Sequence, residues 1–257
     1  MIDTVSPALL AILSVLLAWC SVRAWRSKKA LLEWAGAGSA ALIAVVVFVP
    51  AVLMSAGLVQ RSARTAAIPN LTVAGTPDQI ARGRAIVDSF CSACHSKTGT
   101  LTGGEDIGKH FPVPVGSFIS SNLTPAGSLG SWSDGQIFRA IRNGVDANGR
   151  WLVVMSITNA GKLSDDDIRA VIAYIRDQPA AGERTPEPPD HISPLGLMML
   201  GAGIFPGGKP VLNGVIQAPP KSAAAQYGEY ILSYQDCREC HGIADHPSNS
   251  PTAKPFE

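Results

Sequence analysis

Two long runs of apolar residues open the chain. The first extends from Pro7 to Val22, and the second, from Trp34 to Val59, contains no charged residue. A helix needs roughly 20 apolar residues to cross a bilayer and about 17 at the least, so each run predicts a transmembrane helix. A cleavable signal peptide is the alternative for the first run, but Met1 to Ser6 contains no basic residue, which favours a helical hairpin.

The loop between the two runs indicates how the hairpin is oriented. It carries Arg23, Arg26, Lys28 and Lys29 against the single acidic residue Glu33. Short loops with an excess of lysine and arginine lie on the cytoplasmic side of a membrane. Both ends of the hairpin are therefore expected on the opposite side.

The pattern after the hairpin changes to amphipathic helices. Apolar residues recur at helical spacing from Asp78 to Phe90. A second helix is predicted to begin at Ser133 or Asp134 and to end at Gly144, since these residue types cap helices. A third begins with the predicted capping box Ser164–Asp167. Three helices joined by long loops predict a small all-α domain.

Composition divides the chain into five parts. Nine prolines fall within 42 residues of one stretch, which predicts an extended connector. Within it, Leu195 to Phe205 is apolar but too short to cross a membrane, and we expect it to pack on a neighbouring surface as a short helix or loop. The predicted parts are a transmembrane hairpin at 1–60, a tether at 61–76, a domain at 77–178, the connector at 179–224 and the start of a second domain at 225–257.

Overall composition agrees with a membrane protein and excludes one class of partner. The chain of 257 residues is 46% hydrophobic and 16% charged, with a mean hydropathy of +0.18. This is too apolar for an ordinary soluble protein. The formal net charge is +1, which gives no long-range attraction for nucleic acid.

Four of the five cysteines form two pairs, and each pair is followed at once by a histidine. The two motifs are Cys91–His95 and Cys237–His241, with Cys91 and Cys94 in the first and Cys237 and Cys240 in the second. Cys-x-x-Cys-His is the attachment spacing of haem c: two thiols form thioethers to the vinyl groups and the histidine binds the iron. The sequence thus predicts two covalently bound haems. Cys20 reads as a small apolar residue of the first span.

A low-spin electron carrier needs a sixth iron ligand, and a thioether there raises the reduction potential. Met155 is the only methionine between Met54 and Met198, so it is the predicted partner of His95. His110 is the alternative at this first site. For the second haem, bound through His241, four residues and one external source stay open as sixth ligands: Met198, Met199, His246, His191, or a group outside this chain.

These motifs together resemble a class I cytochrome c domain, most closely the modules that serve membrane-bound bacterial dehydrogenases and respiratory or photosynthetic complexes. The resemblance covers residues 77–178 and, as a fragment, residues 225–242. It is carried by Gly83, Phe90, Cys91–His95, Asn122–Pro125, Trp132–Gly135, Met155 and Tyr174.

The resemblance implies further roles. Gly83, Phe90 and Tyr174 are expected to form the crossing of the first and last helices of the domain. Pro112 or Pro114 is expected to offer the carbonyl that accepts the proton of His95. The chain departs from the family pattern after Met155, where a proline is usual and Ser156 stands, and the second module lacks the region in which its methionine should lie.

The favoured function is electron transfer by a membrane-anchored di-haem cytochrome on the periplasmic side of a bacterial inner membrane. No catalytic residue is assigned. Residues 77–178 carry ten basic and ten acidic side chains, which favours fixed docking within a membrane-bound redox complex over steering towards a soluble donor or acceptor. Two alternatives remain: a di-haem oxidoreductase with an open haem site, such as a peroxidase or a sulfur-compound oxidase, and an assembly subunit whose second haem site is a remnant.

Overall fold

The computed structural model describes residues 2–26, 34, 36–205, 207–235 and 237. The chain forms two compact units. The first contains Met1–Ala63, Val113–Gly116 and Ile192–Gly207, and the second contains Arg64–Pro112, Ser117–His191 and Gly208–Glu257.

The first unit contains the two apolar runs as long helices, α1 (Ile2–Trp25) and α2 (Ala37–Ala63). Both are long and apolar enough to cross a membrane. They pack together through small residues of α2, among which Ala37, Ala44 and Ala51 are buried at a spacing of seven. The hydroxyl of Ser21 also donates to the carbonyl of Ala37 at 2.8 Å. Lys28, Lys29 and Glu33 lie outside the described residues.

A third, shorter helix belongs to the same unit. Helix α8 (Pro194–Gly201) begins at Ser193, whose side chain accepts a hydrogen bond from the amide of Gly196. It packs against α2. The apolar segment within the proline-rich stretch is thus a short packed helix, as its length and hydrophobicity predict.

The second unit is built from short helices joined by long loops. Its helices are α3 (Pro77–Ile86), α4 (Ser92–His95), α5 (Asp134–Asn143), α6 (Val153–Ile157), α7 (Asp165–Asp177) and α9 (Ala224–Tyr234), with a π-helical turn at Val87–Cys91 and 3-10 turns at Ile107–His110, Ser128–Ser131 and Ala160–Lys162. The short strands β1 (Gly116–Phe118) and β2 (Asp190–Ile192) pair with each other. The prediction of a mostly helical chain is confirmed.

The helix ends follow from local capping. Ser133 caps α5 by accepting from the amide of Gln136, and Gly144 ends that helix with a φ of 62°, a conformation that glycine adopts without strain. Ser164 caps α7 by accepting from the amide of Asp167. The predicted reciprocal capping box at α7 is wrong, because the carboxylate of Asp167 pairs instead with the guanidinium of Arg82.

The crossing of α3 and α7 organises the core of the second unit. A Cβ at Gly83 would lie 1.9 Å from the carbonyl oxygen of Ala170 and 2.8 Å from Cβ of Tyr174, so only glycine permits this approach. The predicted meeting of Gly83 and Tyr174 is confirmed. Phe90 instead lies edge-on to the ring of Tyr234, with centroids 6.3 Å apart.

Helix α9, expected to open a second domain, packs into this same core. Tyr230 and Tyr234 are buried among the apolar residues of the second unit. Gly228 occupies the position that corresponds to Gly83 in the sequence repeat, yet nothing lies within 4 Å of a Cβ placed there among the described residues. The repeat is therefore visible as a helix without the crossing that Gly83 makes. Cys240, His241 and His246 lie outside the described residues, so the second domain stays a prediction.

Candidate haem-binding site

A cavity of about 340 Å³ lies within the second unit, and the first motif lines it. Its walls include Cys91, Cys94, His95 and Met155. Apolar side chains from several elements complete the walls, among them Leu123, Leu129, Ile137 and Val171. The structure thus brings together the residues predicted for the first site in one apolar cavity, of a size typical of cofactor pockets.

A change of helix type places the motif on the cavity wall. The π-helical turn joins α3 to α4, so that the backbone amide and the hydroxyl of Ser92 both donate to the carbonyl of Val87, the latter at 2.9 Å. A π turn adds one residue to the helix and rotates the residues after it about the helix axis. Cys91, Cys94 and His95 consequently line the cavity, while α3 packs against α7.

A backbone carbonyl fixes the ring of His95. The Nδ1 atom lies 2.8 Å from the carbonyl oxygen of Ser121, and donation to that carbonyl leaves Nε2 free of its proton and able to bind a metal. Desolvation on the cavity wall lowers the pKa of His95, which also favours the neutral ring. The expected carbonyl of Pro112 or Pro114 is wrong: Ser121, itself a residue of the cavity wall, provides it.

Helix α6 holds Met155 at the cavity, and Ser156 stabilises this short helix. The hydroxyl of Ser156 accepts from the indole of Trp151 at 2.6 Å and donates to the carbonyl of Val153 at 2.8 Å. These bonds fix the side chain of Ser156 directly after Met155. The alternative ligand His110 is not among the cavity-lining residues; it is exposed and its Nε2 lies 3.2 Å from Glu105.

The proline-rich stretch reaches the cavity from outside the predicted domain. The side-chain amide of Asn122, next to Ser121, donates to the carbonyls of Ala181 and Glu183 at 2.8 and 3.0 Å. Further along, the carboxylate of Asp190 accepts from the amide of Val153 at 2.7 Å. Residues 181–190 therefore contact both the segment that orients His95 and the helix that carries Met155.

Charged groups gather at one edge of the cavity. Arg150 pairs with Asp146 at 2.6 Å and with Glu187 at 3.2 Å. Hydrogen bonds from Ser128 and Arg184 lower the pKa of Glu187, so this carboxylate is ionised at neutral pH. Arg150 is a cation that lines the cavity and is suited to a carboxylate of a bound cofactor.

The second motif begins beside the first. The side-chain amide of Gln235 donates to the hydroxyl of Ser89 at 2.7 Å, and Gln235 itself lines the cavity. The phenol of Tyr230 donates to Asp167 at 2.5 Å and accepts from the amide of Ser164. Cys237 stands two residues after Gln235, so α9 holds the start of the second motif against the first domain.

The candidate sixth ligands of the second haem are scattered. Met198 and Met199 lie on α8 in the first unit. His191 is exposed on β2 in the second unit. His246 lies outside the described residues, as do Cys240 and His241, and the open alternatives at this site stay open.

The chemistry of the cavity fits a covalently bound haem. Two thiols and an imidazole come from one short helical segment, a thioether lines the same apolar cavity, and an arginine stands at its edge. This donor set matches haem c ligation by histidine and methionine.

Residues 78–175 match the family model described as cytochrome C oxidase, cbb3-type, subunit III. The fructose dehydrogenase cytochrome subunit of Gluconobacter japonicus is 31% identical over 109 residues, which are 40% of this chain and 22% of that protein. The gluconate 2-dehydrogenase cytochrome c subunit of Pantoea cypripedii is 27% identical over 159 residues, 59% of this chain and 35% of the relative. The cytochrome c subunit of the quinone alcohol dehydrogenase of Gluconobacter oxydans is 29% identical over 164 residues, with shares of 60% and 32%.

These findings identify the type of domain formed by residues 78–175. The chain carries a class I c-type cytochrome domain, of the kind found in cytochrome c subunits of dehydrogenases, and such a domain binds haem c covalently. The chain spans between 22% and 35% of the length of the three relatives just described.

Three contributors to the site are not predicted by the sequence. Ser121 acts through its backbone carbonyl, which no residue type signals. Asn122 belongs to a recognisable motif, but the motif gives it no role of its own. Arg150 comes directly after a glycine turn and shortly before Met155, which only weakly indicates a role at the site. Its ion pair with Glu187 depends on the fold.

Proposed function

We propose that this protein is a membrane-anchored c-type cytochrome that passes single electrons between redox partners on the periplasmic side, as a subunit of a membrane-bound complex. The observation that carries the proposal is the apolar cavity in which Cys91, Cys94, His95 and Met155 meet. The dehydrogenase cytochrome subunits among its relatives support a dehydrogenase as the electron donor.

Each residue of the first site has a distinct task. The thiols of Cys91 and Cys94 attach the cofactor. His95 and Met155 are the two protein ligands of its iron. When bound, haem c supplies an iron that is reduced and reoxidised by one electron. The Ser121 carbonyl keeps the His95 proton on Nδ1, so the ligating nitrogen does not change between oxidation states.

The walls of the cavity support rapid electron exchange. Apolar side chains exclude water from the iron ligands, which lowers the solvent rearrangement that accompanies each electron transfer and favours the reduced state. Arg150 at the edge is the proposed partner of a haem carboxylate, and its pairing with Asp146 and Glu187 fixes its position. No residue of the cavity needs to take or give a proton during the reaction.

A second haem at Cys237, Cys240 and His241 is part of the proposal. Its support is the packing of α9 in the first domain's core and the contact of Gln235 with Ser89. Gln235, two residues before the second motif, lines the first cavity, which supports a second haem close to the first. Two haems attached in this way would form a relay within one chain.

Anchoring by α1 and α2 completes the proposal. Both helices are long and apolar enough to span a bilayer, and most side chains along them are exposed. The basic residues between them favour a cytoplasmic loop and a haem domain on the periplasmic side.

The test combines a haem count with a functional assay in membranes. A pyridine haemochrome assay and intact mass are measured for the full chain and for two double variants, Cys91→Ala/Cys94→Ala and Cys237→Ala/Cys240→Ala. We expect two covalent haems in the parent chain and one in each variant. In isolated membranes, addition of sugar or alcohol substrates should reduce the haems and oxygen should reoxidise them.

Three outcomes would contradict parts of this proposal. A parent chain with a single haem removes the relay. A haem that survives in the Cys91→Ala/Cys94→Ala variant but is lost in the other excludes the cavity as an attachment site. Haems that bind carbon monoxide rapidly without any substrate-driven reduction in membranes would favour an oxidoreductase with an open haem site.

A further inference from the structure

Helix α8 and its neighbours form an apolar surface on the first unit that the proposed electron transfer does not use. Residues 192–205 and 113–116 contain no charged side chain. Leu197 and Leu200 of α8 are almost fully buried, at 1% and 0% exposure. Ile204, just after the helix, is 70% exposed. The segment is thus apolar on its packed side and also on its exposed side.

Two glycines seat α8 directly on α2. A Cβ at Gly57 would lie 2.2 Å from the carbonyl oxygen of Leu197, and a Cβ at Gly201 would lie 2.0 Å from that of Leu53. Such approaches allow the two backbones to touch, as small residues do where helices pack within a bilayer. Gly196 makes a similar approach to the carbonyl of Val115, so residues 113–116 support α8 from another direction.

The contact lies at a defined depth along α2. Gly57 stands twenty residues after Ala37, the first residue of α2, which at ~1.5 Å per residue corresponds to about 30 Å, the thickness of the hydrocarbon core. Arg61 and Arg64 come within the next two turns. Leu53, which Gly201 contacts, stands sixteen residues after Ala37, or about 24 Å, so the α8 contacts fall in the last part of the hydrocarbon core, next to the headgroup region.

We propose that α8 and Ile204 are immersed in the outer leaflet of the membrane, with lipid acyl chains covering their exposed side. The occupant follows from continuity with α2, because the α2 residues Val52 and Val59, which flank Gly57 along the helix, are also exposed, at 47% and 66%. An uncharged apolar helix that is too short to span the bilayer and packs on a spanning helix fits a segment inserted part-way into the membrane. It would hold the haem-bearing chain close to the membrane surface through a third contact.

This inference rests on the proposed anchoring by α1 and α2, so the experiment tests the anchoring and the lipid contact of α8 separately. Three cysteine variants are made in the full holoprotein with Cys20→Ser: Ile204→Cys at the test position, Val46→Cys within α2 as the lipid control, and Val215→Cys as the aqueous control. Val46 and Val215 are 62% and 73% exposed, so all three positions are comparably accessible on the chain itself. Val215 belongs to the second unit.

Each variant is purified and reconstituted in protein-free phosphatidylcholine liposomes, and its reaction with a membrane-impermeant maleimide is followed. The labelled fraction of Val215→Cys gives the share of molecules that face outward. We expect Ile204→Cys to react at least about tenfold more slowly than Val215→Cys, since a thiol in an apolar medium is held protonated and out of reach. In detergent-denatured protein the three rates should become equal.

The outcomes separate the two proposals. Rapid labelling of Ile204→Cys with protection of Val46→Cys overturns the lipid contact and leaves the anchor intact. Rapid labelling of both overturns the anchor. If the protection of Ile204→Cys disappears when the ratio of lipid to protein is increased, a second copy of the chain covers this surface. If Ile204→Cys is protected in native membranes but not in liposomes, a partner protein covers it. Either result overturns the lipid contact.

Discussion

The carboxylate of Asp190 accepts a 2.7 Å hydrogen bond from the backbone amide of Val153, the first residue of α6. This bond joins the proline-rich stretch to the helix that carries Met155. Because Asn122 joins the same stretch to the loop that orients His95, one extended segment contacts the supports of both proposed iron ligands. The segment thus belongs to the haem site, although it lies outside the helical domain that the sequence outlines.

Replacing Asp190 should loosen the Met155 side of the site. In Asp190→Ala the amide of Val153 loses its buried acceptor, and we expect a smaller low-spin fraction in the optical and electron paramagnetic resonance spectra, with faster cyanide binding. Asp190→Asn keeps an acceptor oxygen at the same position and should restore the low-spin spectrum. Equal behaviour of the two variants would show that the negative charge, and not the hydrogen bond, is what matters.

Replacing Met155 should change the reduction potential. In Met155→Leu the soft thioether is lost, and the potential should fall on the order of 100 mV, a modest part of the roughly 0.8 V that axial ligands span. The iron should also bind carbon monoxide. Met198→Leu on α8 is the matched control and should leave the first haem's potential unchanged, as measured by potentiometric titration. A potential that is unmoved in Met155→Leu would remove Met155 from the ligand set.

Two glycines of the sequence repeat should respond oppositely to the same substitution. Gly83→Ala places a Cβ 1.9 Å from the carbonyl of Ala170, so α3 and α7 must separate, and we expect a loss of about 2 kcal/mol or more in the free energy of unfolding. Gly228→Ala meets no atom of the described residues within 4 Å of its Cβ and should be neutral or stabilising by up to ~1 kcal/mol.

Denaturant unfolding followed by far-ultraviolet circular dichroism measures both changes. A destabilisation by Gly228→Ala as large as that by Gly83→Ala would mean that another helix crosses α9 at Gly228. That result would favour a complete second domain in the assembled protein.

Asp167 should make the stability of the haem domain depend on pH. Burial alone would raise the pKa of this carboxyl, but the hydrogen bonds from Arg82 and Tyr230 outweigh it and lower the pKa below the ordinary value of 3.8. The unfolded chain therefore binds the proton more readily than the folded one. The stabilising contribution is present at neutral pH and is lost as the pH falls below about 4.

The matching variants are Asp167→Asn and Asp166→Asn, the latter at a carboxylate whose side chain is 95% exposed. At pH 7, Asp167→Asn should cost about 3 kcal/mol of unfolding free energy, as expected when one partner of a buried pair is removed, and Asp166→Asn almost nothing. Between pH 5 and 3, an interval that brackets the ordinary Asp pKa of 3.8, the difference in unfolding free energy between wild type and Asp167→Asn should shrink. A difference that stays constant over this interval would contradict the role of the charge.

The sequence predicts those parts of the site that depend on residue type and local spacing. Cys91, Cys94 and His95 are recognisable from their spacing, Ser133 and Gly144 from their capping preferences, and Met155 from being the one methionine in the domain. Each of these signals lies in the chemistry of a single residue or its immediate neighbours.

The parts of the site that the sequence does not predict depend on the backbone or on distant contacts. The acceptor of the His95 proton is a carbonyl, which every residue possesses, so Ser121 could be found only from the fold. Asn122 forms a hydrogen bond with Ala181, and Tyr230 forms one with Asp167. Each bond joins segments about 60 residues apart in sequence. A high proline content indicates an extended backbone, but it does not show which residues that backbone touches.

The π-helical turn at Val87–Cys91 has a consequence for how such chains tolerate insertions and deletions. It accommodates one extra residue between the helix that crosses α7 and the thiols that face the cavity. The glycine-to-cysteine spacing differs by one residue between the two copies of the repeat, from Gly83 to Cys91 and from Gly228 to Cys237. Loss of a single residue within this turn would restore an ordinary α-helical turn and leave the thiols facing the cavity. Loss of a second residue would rotate the motif by about 100° around the helix axis, at 3.6 residues per turn, and direct both thiols away from the cavity.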